Sequence, residues 1–370
     1  MSRDGVNPAR LILKGIGLFL AFNFAFIAVD IPWSRLSIYN IIVPGRVRVP
    51  YEQRAEYYNL AHNLPVFEDF DLMFASHVIS RKKTADEYRV VVLGDSSDWG
   101  FHLQPGQIFT ERLNARHLLT CDGKVIRVYN LAYPLPDVIK DLLILDRSLE
   151  EKPDAVLWFV TAIGIQDKSN SKALIAPHSR RARQLFDRYQ LEPEVAQYLV
   201  EPTLWDKTLF GRRQVIKKAF ALQFYGLGWA ATGMDFYPRD YQPIWLLEDA
   251  PSDAKKQAET IGTWDFRVLQ AGHSLAANVK MIIVNEPIFI DDRRGPEGDY
   301  NAIYSRAFYD GYRSQLQQWM EDQGYDLLDF WDLLPPIGFS DNPIHRSAYG
   351  ESLLAKALEP VLLQISCPQR

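Results

Sequence analysis

Five short apolar runs, each closed by turn residues and separated by stretches of helical period, constrain this 370-residue chain more than any other feature. They read YRVVVLG from Tyr88, VIRVYNL from Val125, DAVLWFVT from Asp154, VKMIIVNEP from Val279 and YDLLDF from Tyr325. Their β-branched and aromatic content suits strands covered on both faces. Between them lie IFTERLNARHLL, DVIKDLLILDRSLEE, and a segment placing Ile261, Trp264, Val268 and Leu275 at roughly helical spacing. Phe308, Tyr312, Leu316 and Trp319 line a further helical face that Gly324 closes. Ser347 caps a last helix carrying Leu354, Leu358 and Val361. Strand and helix in alternation predict an α/β domain with a five-stranded parallel sheet between two helical layers.

The alternation is confined to residues 86–370 and is interrupted at about 165–250, too long a stretch for a plain loop. That stretch holds the basic segments SRRAR and GRRQVIKK and the apolar AFALQFYGLGWAATGM, and is read as a helical insertion placed to cap the site. Residues 34–85 have no long period and are read as a stalk and packing segment.

Residues 1–33 are read as a cytoplasmic tail and membrane anchor. Leu11–Val29 carries one charge, Lys14 near its start, and about 20 apolar residues suffice for a span. Arg3, Arg10 and Lys14 precede it, which keeps the amino terminus in the cytoplasm and the rest of the chain outside; Trp33 falls where an interfacial aromatic is expected. A cleaved signal peptide and a buried core helix are the alternatives, and FAFIAVD is a poor small-x-small cleavage site.

A net charge of −5 argues against a nucleic-acid partner. Cys121 and Cys367 are too few for a disulfide framework, have no metal-ligand spacing, and leave the compartment open. The chain calls for no metal and no cofactor.

The chemistry gathers at strand ends, where open α/β sheets bind ligands. The first run ends in Gly94-Asp95-Ser96-Ser97, presenting Ser96 (or Ser97) at a carboxyl edge. A serine needs a base to become a nucleophile. Of the seven histidines only His345 lies in a loop, SDNPIHRSAYG, between the fifth run and the last helix, with Asp341 four residues upstream to orient it. Asp98 and Trp99 are read as pocket-shaping or sugar-stacking residues, or as ordinary packing. Asn285 and Glu286 stand at the fourth strand's end as site polars or as part of a turn at Pro287. His102 is read as a loop histidine.

GDSS after the first strand and SDNPIHRSAYGESLLAKAL near the end resemble the SGNH/GDSL hydrolase superfamily, over about 88–165 and 278–365. The resemblance implies a flavodoxin-like three-layer α/β/α fold, Ser96 as nucleophile and His345 as base. Three positions depart from the pattern. The acid expected three residues before the histidine is Asn342, with Asp341 one residue further back. The oxyanion glycine after the second strand is replaced within NLAYPLPD, where Leu135 is the N–H left between two prolines. The Gly-x-Asn-Asp block reads VTAIG, where Thr161 offers a hydroxyl. Ser96, Leu135, Thr161 and Asn285 are therefore the oxyanion candidates. With an anchor, the chain is similar to the membrane-bound SGNH-like proteins that work beside membrane-bound O-acyltransferases in lipoteichoic acid D-alanylation and alginate O-acetylation. This implies a serine acyl esterase or O-acyltransferase acting outside the cytoplasm on a cell-envelope glycan or polymer, or a catalytically reduced scaffold that binds such a polymer or an acyltransferase.

Overall fold

A computed structural model describes residues 7–28, 33–43, 45–49, 69–167, 170–192, 194–232, 240–247 and 264–367. Arg3, Val29, most of the 34–85 segment after Val49, the end of the apolar insertion stretch from Gly233, and Ile261 lie outside the described residues.

The five apolar runs are the five strands: β1 (Glu87–Leu93), β2 (Val125–Asn130), β3 (Ala155–Val160), β4 (Lys280–Asn285) and β5 (Asp326–Asp329). They form one all-parallel sheet in the order β2-β1-β3-β4-β5, the flavodoxin-like arrangement, whose order reverses between β1 and β3. Because successive strand side chains point to opposite faces, each strand feeds two cores. Val90, Val92, Leu157, Phe159, Ile282 and Val284 pack beneath α5 (Phe109–Asn114) and α13 (Ala348–Ile365). Val91, Leu93, Val156, Trp158, Val160 and Ile283 face α6 (Val138–Ser148), α11 (Arg267–Leu275) and α12 (Arg306–Gln323). Both faces are dry, which is why the strands are nearly continuous in apolar residues.

The helix ends follow their local chemistry. Ser347 accepts the Gly350 N–H at 3.2 Å, and Gly324 closes α12 at φ +66°. Ahead of the sheet come α1 (Pro8–Ala25), α2 (Ile38–Ile42) and α3 (Phe70–Ser76); the apolar side chains of α3 are buried in the second of the two cores. A four-residue helix α4 (Ser96–Trp99) follows β1 directly. Between β3 and β4 the insertion is helical: α7 (Ala162–Gln166), α8 (Lys172–Ile175), α9 (Ser179–Tyr189) and α10 (Arg213–Thr232). Pro8–Ala28, 21 residues, is long and apolar enough to cross a membrane and is almost wholly uncovered by the rest of the chain.

The two cysteines, too few for a framework, form a single bond. Cys121 and Cys367, 246 positions apart, are joined, with Cα atoms 5.2 Å apart. The bond ties the turn before β2 to the end of α13, so two cysteines suffice to staple the domain's carboxyl terminus.

Candidate active site

The turn after β1 is shaped by close approach. A Cβ on Gly94 would sit 2.0 Å from Asp98 Oδ2, so this position has no room for a side chain. The Gly94 carbonyl accepts from the buried Lys140 ammonium at 2.6 Å, and Lys140 also donates to the Tyr133 carbonyl at 2.8 Å, pinning the β1 and β2 exits together. Asp95 caps α4 by accepting the Ser97 N–H at 2.8 Å. Gly100 ends this single turn at φ +83°, where a Cβ would meet the Ile108 side chain at 2.3 Å. Ser96 is the first residue of α4 and half-exposed, whereas Ser97 is buried and donates its hydroxyl to the Ile344 carbonyl at 2.5 Å. Of the two serines, Ser96 therefore faces the site, and Ser97 fastens the turn to the histidine loop.

In that loop, His345 Nε2 lies 2.8 Å from Ser96 Oγ, and His345 Nδ1 lies 2.9 Å from Asp341 Oδ1. Asn342, standing where the family pattern has its acid, does another job. Its Oδ1 accepts the Ile344 and His345 N–H groups at 3.0 and 2.7 Å, curling the loop so that Asp341 reaches the ring from one residue further back. Its amide nitrogen also lies 2.8 Å from Nδ1. Burial works against an ionised Asp341, but hydrogen bonds and charge from His102 and His345 hold its carboxyl well below the ordinary carboxylate range. An ionised Asp341 favours the tautomer with the proton on Nδ1, which turns the Nε2 lone pair toward the serine hydroxyl.

His102, read as a loop histidine, belongs to the same constellation. Its Nε2 lies 2.9 Å from Asp341 Oδ2, it is buried, and it sits at φ +63°, a left-handed conformation uncommon outside glycine. The Phe101 ring stacks on the His345 ring at 4.8 Å. The insertion reaches this point: the Tyr241 ring is 5.2 Å from the His102 ring, and the Ile244 N–H donates to the Ser340 carbonyl at 2.6 Å.

Beneath the surface residues lies a buried ionic knot that sequence reasoning missed. Arg346, next to His345, is fully buried and reaches Glu351 at 2.6 Å, Asp98 at 2.7 Å and Glu286 at 3.4 Å. It joins the turn after β1, the end of β4 and the start of α13. Burial, and then the neighbouring acids, push Glu286 well above its ordinary value. Burial also raises Asp98 to about 6 against the pull of Arg346, and the two carboxyls interact directly. Asp98 and Glu286 are singled out by the sequence, but Glu351 and the shared Arg346 are not.

Several expected site residues are therefore structural. Asp98 and Glu286 are buried in the knot and closed to a substrate. Trp99 is 4 % exposed; its indole N–H donates to the Val49 carbonyl at 2.8 Å, and Arg48 lies 4.1 Å above its ring. Asn285 is not aimed at the serine: it donates to Asp329 at 2.7 Å and accepts from the Tyr312 hydroxyl at 3.1 Å, a network between β4, β5 and α12. The Leu135 N–H is donated to the Tyr133 carbonyl at 2.7 Å within a tight turn, as the flanking prolines restrict the backbone. Thr161 caps α7 by accepting the Gly164 N–H at 3.1 Å, which leaves its hydroxyl proton to donate elsewhere. The Ser96 N–H carries no hydrogen bond among the described residues. Of the four oxyanion candidates, Ser96 and Thr161 thus keep a donor that no described hydrogen bond takes up.

Two groups among the described residues have metal-ligand spacing: His102 with Asp341 and His345, and Asp95 with Asp98 and Glu286. In the first, both imidazoles lie 2.9 Å from the Asp341 carboxylate; in the second, Arg346 already supplies the positive charge.

The fold and this arrangement define an α/β protein with a serine–histidine–carboxylate line at the carboxyl edge of a parallel sheet. Neither a protein-family model nor a curated protein sequence matches the chain. Solved structures do. A member of the lipolytic protein G-D-S-L family from Veillonella parvula is 12% identical, with 74% of this chain and 97% of that one covered and a TM-score of 0.35. TesA is 13% identical over 75% of this chain and 99% of its own, TM-score 0.36. A catalytic mutant of Axe2, an acetylxylan esterase from Geobacillus stearothermophilus, is 13% identical over 78% and 99%, TM-score 0.32. The geometry of the site, and not these likenesses, carries the functional reading.

Proposed function

We propose that this chain is a membrane-anchored serine acyl esterase or O-acyltransferase of the SGNH/GDSL type, working outside the cytoplasm on an acylated cell-envelope glycan or polymer. The observation that carries the reading is the unbroken line from Ser96 Oγ through His345 to Asp341, at 2.8 and 2.9 Å. Ser96 Oγ attacks the acyl carbonyl carbon while His345 Nε2 takes its proton, and Asp341 stabilises the imidazolium that forms. The Ser96 N–H and the Thr161 hydroxyl are the donors for the oxyanion. Collapse breaks the ester bond, and the departing alkoxide leaves with the proton from His345. Water, or a sugar hydroxyl, then attacks the acyl-Ser96 carbonyl, gives its proton to His345, and Ser96 recovers it as the acyl group departs.

The uncovered apolar helix Pro8–Ala28 supports the anchor, and Arg10 and Lys14 at its start support a cytoplasmic amino terminus. The Cys121–Cys367 bond supports an oxidising compartment. The resemblance to anchored SGNH-like proteins suggests a membrane-bound O-acyltransferase as the source or recipient of the acyl group.

A second reading, a catalytically reduced scaffold that binds the polymer or the acyltransferase, is favoured by one observation: Leu135 and Asn285 are both committed elsewhere. A fluorophosphonate probe on the purified full chain separates the two. Covalent labelling that Ser96→Ala removes supports the enzyme; an unlabelled chain that still retains acylated polymer supports the scaffold.

A further inference from the structure

We infer that α2, α10 and the turn at 204–210 form a second membrane contact, a surface that lies in the outer lipid leaflet beside α1. The inference rests on the proposal that α1 spans the bilayer. Outside α1, the most exposed large apolar side chains among the described residues are Ile41 (79%) and Phe224 (75%). They do not stand alone: Ile38, Ile42, Leu204, Phe220 and Leu227 are exposed as well. Contiguous exposed apolar surface marks a contact, whereas scattered residues do not.

The contiguity is visible in the packing. The Gln223 side chain accepts the Ile38 N–H at 2.7 Å and donates to the Leu36 carbonyl at 2.9 Å, fastening α2 onto α10. Gly226 lets the two helices close, since a Cβ there would sit 2.5 Å from the Tyr39 ring. Along α10, Arg213, Lys217, Phe220, Phe224 and Leu227 follow one another at alternating steps of four and three, so they share one face. All five are exposed, and the face runs from two cations to three apolar side chains. Arg213 lies 4.1 Å over the Phe210 ring, and such long cationic side chains carry their charge to the headgroups while their stems cover apolar surface.

The occupant follows from continuity with α1. Phe26 stacks on Trp33 at 6.5 Å, and Trp33 lies 5.9 Å from Phe220. Phe210 meets Phe19 edge-on at 6.4 Å, and its N–H donates to Asn23 Oδ1 at 2.8 Å. Asn23 is five positions before the end of the apolar span at Ala28, roughly 8 Å along the axis at about 1.5 Å per residue. Any bilayer that α1 crosses therefore has the Phe210 turn within its outer leaflet, at the depth of about 5–10 Å that interfacial apolar faces reach. The Asn23 carbonyl satisfies the Phe210 N–H, which removes the cost of carrying that backbone group into lipid.

The test uses the full chain reconstituted in protein-free vesicles of phosphatidylcholine and phosphatidylglycerol, some with acyl chains brominated near the headgroup. Single cysteines carry a fluorophore at Phe224→Cys and Ile41→Cys on the proposed face, at Phe22→Cys on α1, and at Leu119→Cys, an exposed residue of the α/β domain. The expected result is about twofold or greater quenching at the first three and none at Leu119→Cys. Quenching at Phe22→Cys, with Phe224→Cys or Ile41→Cys behaving like Leu119→Cys, overturns the inference, leaves the anchor standing, and hands the face to a protein partner. No quenching at Phe22→Cys overturns the anchor and the inference with it.

Discussion

Asp341 Oδ1 lies 2.9 Å from His345 Nδ1 although the two are four positions apart, because Asn342 folds the intervening loop onto its own side-chain oxygen. The other carboxylate oxygen is held by His102 at 2.9 Å. In the proposed reaction, Asp341→Asn should lower kcat by about 10²–10⁴, the loss expected when an orienting carboxylate becomes an amide. His102→Asn, which tolerates the left-handed backbone, should cost about tenfold or less by loosening Asp341. Steady-state hydrolysis of p-nitrophenyl acetate by the two variants gives the comparison, and equal losses would contradict the assignment.

The two adjacent serines should separate cleanly. Ser96→Ala should abolish fluorophosphonate labelling while shifting stability by about 0.5 kcal/mol or less, since its hydroxyl is partly exposed. Ser97→Ala should keep labelling but cost about 1–3 kcal/mol, because the buried Ile344 carbonyl loses its donor. Labelling gels and denaturant titrations on the same preparations check both.

Arg346 holds three buried acids, so removing it leaves them without their shared donor and counter-charge. Arg346→Met should destabilise the domain by about 3–5 kcal/mol. Arg346→Lys should recover only part of this, as one ammonium does not span three carboxylates at once. Urea unfolding followed by tryptophan fluorescence measures the difference.

The Cys121–Cys367 bond closes nearly the whole α/β domain. Its loss in Cys121→Ser should lower stability by about 2–5 kcal/mol. Wild-type protein should melt lower in reductant, while the variant should not respond. Indifference of the wild type to reductant would argue against the bond.

Asp141, buried between Lys140 and the Trp158 indole, has its carboxyl pushed up to about 7, chiefly by burial. A raised folded-state value means that the folded protein holds the proton more tightly than the unfolded chain. This contribution to stability is complete below about pH 4 and is lost as pH rises through about 7. The melting temperature of Asp141→Asn should therefore fall less than that of the wild type between pH 5 and 8, as followed by thermal denaturation in matched buffers.

The chain's architecture and the candidate serine and histidine are legible in the order of its residues. Each strand is a local apolar run, Ser347 and Gly324 cap their helices through contacts within a few residues, Ser96 follows β1 directly, and His345 lies in the loop just before the last helix. These signals are local, so the sequence alone carries them. What only the tertiary structure decided depends on which segments meet. Asp341 rather than Asn342 faces the imidazole because of a loop curl set by two backbone hydrogen bonds. Asp98, Trp99, Glu286 and Asn285 have the chemistry of site residues but turn to Arg346, Arg48 and Asp329, partners that lie far away in the sequence. His102 joins the site through a carboxylate 239 positions later, and the two cysteines pair across 246. A side chain's role is set by the atoms within about 4 Å of it, and for these residues the chain delivers those atoms only when the sheet and its layers close.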